Sequence, residues 1–355
     1  MGFAHNSYIK KTSTTRTAKS KARISLDSTD VRLGHIVRLL MEHATVVVSG
    51  TKIAQEISSS RSEVWRLIQQ LRRLGVNVEG HPSTGYQLKS VPDLLLPEVL
   101  QPLLRGTIFD DHIHHFFKIG STNNEALNAA AKGEPEGSIF LAEEQTAGRG
   151  RGSNTWESAR SSGIYCSVIL RPAMPPADVL VLTLAIGLAV ASAVREVGEV
   201  EVDLKWPNDV LLHGRKVCGI LTEMNAEITR VRYIVAGIGL NVNQETFSKE
   251  LEHEAISLRM ATGRNWSRVE LAAALLKSLD REYKNLLQRA DARPSILRRF
   301  AESSSWIRGK HIRIDEAGSN LKGVTAGLDD RGFLQVQTAH GLQRVLSGTV
   351  REEKE

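Results

Sequence analysis

The chain has 355 residues, 41% hydrophobic and 24% charged, which is enough for two or three domains of ordinary soluble composition. Its formal charge of +6 matches the six basic residues that precede the first acid, Asp27: Lys10, Lys11, Arg16, Lys19, Lys21 and Arg23. The two cysteines, Cys166 and Cys218, exclude a disulfide scaffold. No secretory signal is expected, and the apolar run at 179–191 is too short and interrupted for a membrane span, so a cytoplasmic protein without a membrane is expected.

Residues 1–27 form a Ser/Thr-rich, acid-poor tail that is expected to be disordered. It could add nonspecific phosphate contacts to a nucleic-acid-binding domain, or it could be inert. Residues 28–90 then follow a helix, helix, turn, helix, hairpin pattern. Apolar residues at helical spacing mark 31–43, a short strand is read at 46–48, and 51–57 is a short helix capped by Ser49 or Thr51. After Ser58, Ser59 and Ser60, residues 61–74 make a second strong helix with Val64, Leu67, Ile68 and Leu71 inward and Gly75 at its end. Strands at 76–78 and 86–88 complete a winged helix-turn-helix. In that motif the helix after the turn enters the major groove. The outward candidates are Arg61, Ser62, Glu63, Trp65, Arg66 and Gln69. A helical packing domain with no DNA role is the competing reading.

Residues 91–105 read as a proline-bracketed linker with a short helix. A second domain, 106–305, begins with a strand at 116–119 that delivers Ser121, Thr122 and Asn123 to a helix at 125–131. Ser and Thr there are expected helix caps, and a helix N-terminus also offers free N–H groups to an anion or carbonyl. A strand at 138–143 leads into EEQTAGRGRGSNTWES at 143–158, where Gly148, Gly150 and Gly152 alternate with Arg149 and Arg151. Glycines let the backbone approach a ligand closely, and arginine forks suit carboxylate or phosphate. The segment lacks the Gly-Lys-Ser/Thr ending of a P-loop, and Ser153 replaces the third glycine of a dinucleotide fingerprint. Further strands are read at 165–170, 200–204, 209–212, 217–224 and 233–242, and helices at 177–197 and 269–290. This is an α+β body with helices on a largely antiparallel sheet. From 306 to 355 the pattern changes to short strands at 311–314, 321–326, 333–337 and 344–347, as in a small SH3-like β-barrel.

Five pieces occur in fixed order: GSTNN at 120–124, QTAGRGR at 145–151, KWPND at 205–209, RKVCGI at 215–220 and GIGLN at 237–241. Together they resemble the biotin–protein ligases, in particular the bifunctional bacterial kind that is also the biotin operon repressor. The resemblance runs from about residue 33 to the C-terminus. It implies a class II synthetase-like catalytic domain that activates biotin with ATP as biotinyl-5′-AMP. The biotinyl group then passes to a lysine of a biotin carboxyl carrier protein. It further implies operator DNA as a partner and a homodimer in the adenylate-bound state.

Joining a carboxylate to the α-phosphate of ATP brings two anions together, so cations are needed at the reacting centre. Arg149, Arg151 and Lys216 are the suppliers. The resemblance places Lys216 against biotin's carboxylate and the developing adenylate. By the same resemblance Ser121, Thr122, Asn123 and Gln145 meet biotin's urea, Gly150 and Gly237 give backbone access, and Lys205, Asn208, Asp209 and Asn241 lie toward ATP. Asp209 offers a hard oxygen ligand for Mg²⁺, whereas Lys205 could equally be structural support. A mobile glycine–arginine lid would protect the reactive mixed anhydride from water. Here the loop carries Ser153 and Asn154 where the family usually has glycine and a third arginine, which touches loop closure rather than reaction class. Two other functions fit parts of the pattern: a biotin-sensing repressor without ligase activity, and a lipoate-type ligase.

Overall fold

The computed structural model describes residues 28–90, 93–316 and 319–353; the basic tail, the start of the expected linker, residues 317–318 and the last two residues lie outside them. The first unit is built from α1 (Ser28–Glu42), α2 (Gly50–Glu56), α3 (Arg61–Arg73) and the hairpin β1 (Val78–His81) and β2 (Gly85–Leu88). Ser49 caps α2 by accepting from Lys52 N, and Ser60 caps α3 by accepting from Glu63 N. Val64, Leu67, Ile68 and Leu71 are fully buried at i, i+3, i+4 and i+7 spacing, which leaves the opposite face of α3 to solvent. The strand read at 46–48 is only a single bridge, Val48 to Tyr86, and the first hairpin strand starts at Val78 rather than at 76.

The segment after the hairpin is not a loose linker. Leu94, Leu95 and Leu96 enter the core, and α4 (Pro97–Leu100) and a 3₁₀ turn (Gln101–Leu104) bury Leu100 and Leu104 completely. Three consecutive leucines bounded by prolines bury apolar area that a solvated linker would expose.

A seven-stranded sheet follows: β3 (Ile113–Phe116), β4 (Ile139–Ala142), β5 (Gly163–Leu170), β6 (Asp203–Lys205), β7 (Asp209–Leu212), β8 (Arg215–Ala226) and β9 (Val231–Asn241). Its spatial order is β3-β4-β5-β9-β8-β7-β6, and every pairing is antiparallel except β3 with β4. The strand expected at 116–119 lies three residues earlier, because the chain turns after Phe117 and keeps only an Ile119–Gln145 bridge. One face of the sheet carries α5 (Thr122–Ala131), whose Ala126, Ala129 and Ala130 pack on Phe140, Ile169 and Val235. The main core holds α6 (Val179–Gly198), α8 (Arg268–Gln288) and α9 (Ala292–Glu302); α9 and the short α7 (Leu258–Thr262) extend the expected set. The α6 region is long and apolar enough by composition to cross a membrane, yet 78% of its apolar stretch is buried inside the fold.

The last unit is a five-stranded antiparallel sheet of β10 (Arg308–Glu316), β11 (Ser319–Leu328), β12 (Leu334–Thr338), β13 (Gly341–Val345) and β14 (Thr349–Glu352), ordered β13-β12-β11-β10-β14. The strand expected at 344–347 is β13, shifted toward the N-terminus, and β14 is a fifth strand. Trp206 Nε1 donates to Gly332 O at 2.9 Å and fastens this sheet to the body.

One buried ion network ties the middle of the chain together. Glu143 has no exposed side-chain surface, and Arg268 has 1%. Arg268 Nη1 lies 2.8 Å from Glu143 Oε2, while Leu95 N and His115 Nε2 reach Oε1 at 3.0 and 3.2 Å. Burial alone would raise the Glu143 carboxyl. Arg268, His115 and the Leu95 N–H outweigh it and hold the group at about 2, below its ordinary 4.5. Glu143→Ala leaves the buried Arg268 charge with only the partly exposed Asp93 carboxylate at 3.3 Å, and a loss of about 3–5 kcal/mol in denaturant unfolding is expected. Because the folded value is depressed, Glu143's contribution is present above pH 4.5 and is lost as pH falls toward about 2. A loss below about 1 kcal/mol would show that the network does not hold the fold.

Candidate functional site

The face of the sheet that carries α5 opens beyond that helix's N-terminus into a cleft. Three neighbouring strands present it in register. Ser167 of β5 pairs with Gly237 of β9, which pairs with Leu221 of β8; Tyr165 pairs with Gly239, which pairs with Gly219. Side chains two apart on a strand share a face, so the glycines leave the space.

Two side chains fill part of that space. A Cβ at Gly237 would stand 2.2 Å from Asn123 Oδ1, and one at Gly239 would stand 2.5 Å from the Trp156 ring. Gly237 is therefore fixed by the close approach of Asn123, and Gly239 by that of the indole. Thr122 and Asn123 belong to the first turn of α5, one turn earlier than the sequence suggests, with Ser121 at the N-cap making no side-chain cap bond. Gln145 caps the helix instead. Its Oε1 accepts from Thr122 N at 2.8 Å and from Thr122 Oγ1 at 3.1 Å, and its Nε2 donates to Ser158 Oγ. Ser167 Oγ is 2.8 Å from Thr122 Oγ1 and 2.7 Å from Asn123 Oδ1. Two buried polar atoms along the cleft, Ser121 Oγ and Trp156 Nε1, have no hydrogen-bond partner among the described residues.

The glycine–arginine segment is a reverse turn closed on itself: Gly150 N donates to Asn154 O and Trp156 N to Gly148 O. Arg149 donates from both Nη atoms to Glu223, at 2.9 and 2.8 Å, and from Nη1 to Asn124 Oδ1. Arg151 Nη1 donates to Gly348 O, in the loop just before β14, at 3.0 Å. Lys216 sits within β8 itself, just ahead of the strand read at 217–224. Its Nζ lies 2.6 Å from Asp209 Oδ1 and 5.6 Å from the centre of the Trp156 ring.

Ser121, Thr122, Asn123, Gln145, Arg149, Gly150, Arg151, Asn208, Lys216 and Gly237 all line this cleft. Asn208 does so with its amide donating to Ile220 O at 2.8 Å. Three expected nucleotide residues do not line it: Asp209, which meets the cleft only through Lys216, Lys205 and Asn241. Lys205 Nζ stands over the Trp306 ring at 4.2 Å, where burial pushes its ammonium pKa down against the pull of Asp209. Asn241 is buried at the end of β9, its amide spent on Ile256 O and Gln244. Ser167 and Glu223 join the site from outside every quoted segment, and Trp156 and Ser158 join it from the end of the 143–158 segment, where the motifs assign them no role. Alternation along β8 from Gly219 through Leu221 is the one signal that points to Glu223.

On α3, Arg61, Ser62, Trp65 and Arg66 are exposed, with Trp65 59% accessible. Arg66 holds Glu63 through two bonds of 2.8 and 2.7 Å, and Ser62 Oγ meets Ser60 Oγ.

Three family models match: an HTH domain over residues 32–87, the biotin/lipoate A/B protein ligase family over 118–241, and the biotin protein ligase C terminal domain over 308–350. The bifunctional ligase/repressor BirA of Bacillus subtilis is 33% identical over 317 residues, 89% of this chain and 97% of the relative. The protein of the same name from Escherichia coli is 29% identical over 290 residues, 81% and 88% of the two chains. Among solved structures, a biotin protein ligase from Aquifex aeolicus in complex with biotin and ATP superposes with a TM-score of 0.60 at 27% identity. It covers 68% of this chain and all of that one.

Gly237→Ala puts a methyl group into Asn123, and overpacking of this kind costs about 1–3 kcal/mol. A lower denaturation midpoint is expected in chemical unfolding. An unchanged midpoint would mean that Asn123 does not sit against Gly237.

Proposed function

The chain belongs to the bifunctional biotin ligase/repressor family, and we propose that its cleft activates biotin with ATP and hands it to a lysine of a biotin carboxyl carrier protein. In the first step a biotin carboxylate oxygen attacks the α-phosphorus of ATP, giving biotinyl-5′-AMP and pyrophosphate. In the second, the carrier's lysine amine attacks the acyl carbon and AMP leaves. The observation that carries this reading is Ser121 Oγ, 4% exposed for the residue and without a partner among the described residues, beside a glycine-floored cleft. A buried hydroxyl left unpaired costs about 1–3 kcal/mol, which a polar ligand group such as biotin's urea removes.

The protein's part is orientation and charge. Gln145 bonds Thr122 directly, and Ser167 Oγ stands between Thr122 and Asn123, so the polar wall is set before the ligand arrives. Lys216 neutralises the converging carboxylate and α-phosphate. Asp209 is 2.6 Å from Lys216 and fits a cation that arrives with the nucleotide. No cluster of three or more metal-ligating side chains occurs among the described residues, and Mg²⁺ commonly uses one or two carboxylates plus substrate phosphates. When bound, Mg²⁺ would offset charge on the phosphates. Arg149, Gly150 and Arg151 cover the cleft mouth. The two cysteines are free and buried, in keeping with a cytoplasmic protein.

The direct test is incubation with ATP, Mg²⁺ and either biotin or lipoate, with detection of the acyl-adenylate. Adenylate from lipoate alone, or from neither acid, would overturn the reading. Lys216→Ala is expected to slow adenylate formation at least about a hundredfold, the scale of removing one electrostatic stabiliser. Unchanged single-turnover adenylation would remove Lys216 from the chemistry.

The second role follows from the N-terminal unit. Operator DNA meets the exposed face of α3, where Arg61, Ser62, Trp65 and Arg66 stand. Residues 28–90 carry eight basic side chains against five acidic ones, too small an excess for tight binding by one copy. We place two copies, joined as a homodimer when the adenylate is bound, on half-sites spaced by roughly one helical turn or a multiple of it. Arg61→Ala is expected to lower operator affinity while adenylation stays intact. A gel shift on DNA upstream of biotin-synthesis genes, with and without biotin plus ATP, checks both points; a shift indifferent to ligand would separate the DNA-binding unit from biotin sensing.

A further inference from the structure

At the mouth of the cleft two side chains, Arg149 and Asn123, meet at one carboxylate that no motif contains. Glu223, on β8, is a quarter exposed. Its two oxygens accept the parallel pair of bonds from Arg149, and Oε2 also accepts from Asn123 Nδ2 at 2.9 Å. Arg149 Nη1 in turn reaches Asn124 Oδ1 at 2.8 Å.

Two consequences follow from the donor and acceptor chemistry. An ionised carboxylate only accepts hydrogen bonds, so it draws the NH₂ side of the Asn123 amide toward itself. The amide oxygen must then face the other way, where it receives the Ser167 hydroxyl at 2.7 Å and lies against Gly237. The orientation of the cleft's polar wall is thus set from outside the wall. Second, the paired bonds fix Arg149 in direction as well as distance, as forked arginine–carboxylate contacts do. Arg149 is the first arginine of the reverse turn that covers the cleft, so Glu223 anchors that turn to the rigid sheet.

We propose that Glu223 is a positioning residue for biotin: through Arg149 and Asn123 it holds the turn and the polar wall in the arrangement that binds the acid substrate. This rests on reading the cleft as the biotin site. The carboxylate acts through its neighbours and not on the reacting atoms. Its removal is therefore expected to weaken capture of biotin far more than it slows the chemical step or weakens capture of ATP.

The test is steady-state adenylate formation by the full chain, followed as pyrophosphate release, with biotin and ATP varied separately. Glu223→Ala is expected to raise the KM for biotin at least about tenfold, with kcat and the KM for ATP changed less than about threefold. Glu223→Gln keeps the shape and one acceptor oxygen, so it is expected to fall between the alanine variant and the unaltered chain, and it serves if alanine impairs folding. In an Arg149→Ala background, adding Glu223→Ala is expected to give well under the product of the two single effects, the mark of residues that act together. An unchanged KM for biotin, equal rises for biotin and ATP, or fully multiplicative effects would each overturn the proposal. Absence of biotinyl-adenylate from the unaltered chain would instead overturn the parent reading of the cleft.

Discussion

The carboxylate of Glu143 is the point on which the middle of the fold depends. It is wholly buried, and each of its oxygens is engaged in a different direction. Oε1 receives Leu95 N and His115 Nε2; Oε2 receives Ser161 Oγ and the Arg268 guanidinium. Arg268 also grips Asp93 at both its carboxylate and its carbonyl, and Asp93 receives Val269 N at the start of α8. Five segments distant in sequence therefore converge on two side chains. An apolar pair of the same volume could match this pair for stability, because desolvation offsets much of the Coulomb attraction. What an apolar pair would lack is direction. Hydrogen bonds to a carboxylate fix which backbone groups meet there, and so fix where β4 delivers the loop that begins at Glu144.

A second regularity lies in the cleft's charges. Lys216 stands beside Asp209 and Arg149 beside Glu223, so each of these two cations has a carboxylate within 3 Å. Lys205 is set apart, over Trp306 and partly desolvated. A cleft balanced in this way avoids clustered unpaired positive charge. An anionic substrate then competes for cations already in position, with little reorganisation required of the protein.

How far the sequence foretells this depends on the range of the interactions. Helix α3 is legible because its signals are local: a serine turn before it, apolar residues at helical spacing, and Gly75 past the end, although the turn's last residue, Ser60, proves to be its cap. The cleft's lining is legible from motif order, which names Ser121, Thr122, Asn123, Gln145, Arg149 and Lys216. The stretch at 93–96 misleads because its partners lie far along the chain: Leu95 N meets Glu143, and Asp93 meets Arg268 and Val269 at the start of α8. Asn241 misleads because its motif position does not reveal that the amide turns inward to Ile256 O. Trp156 and Glu223 are invisible for the same reason. Their importance appears only when β8 and β9 pair so that Gly219 faces Gly239 and Glu223 stands at the end of that row.

The two halves of the molecule are linked by direct contact. α1 lies over α4, where a Cβ on Gly34 would meet the Glu98 carboxylate at 3.7 Å. Just before α4, Leu95 N is bonded to Glu143, which stands two residues ahead of Gln145, the residue that caps α5 at the cleft. Contiguity of this kind is not itself energetic coupling, which requires an element with two arrangements that both sites bias. It does restrict where such an element can lie. Residues 143–145 cannot shift toward the cleft without breaking the Leu95 and His115 bonds on one side or the Arg268 and Ser161 bonds on the other. Breaking either set leaves a buried carboxylate or guanidinium poorly paired, a large penalty against partial movement. Motion at the cleft must therefore come from the turn beyond Gln145, held by Arg149 and Arg151 at its two shoulders, or carry the whole buried network with it.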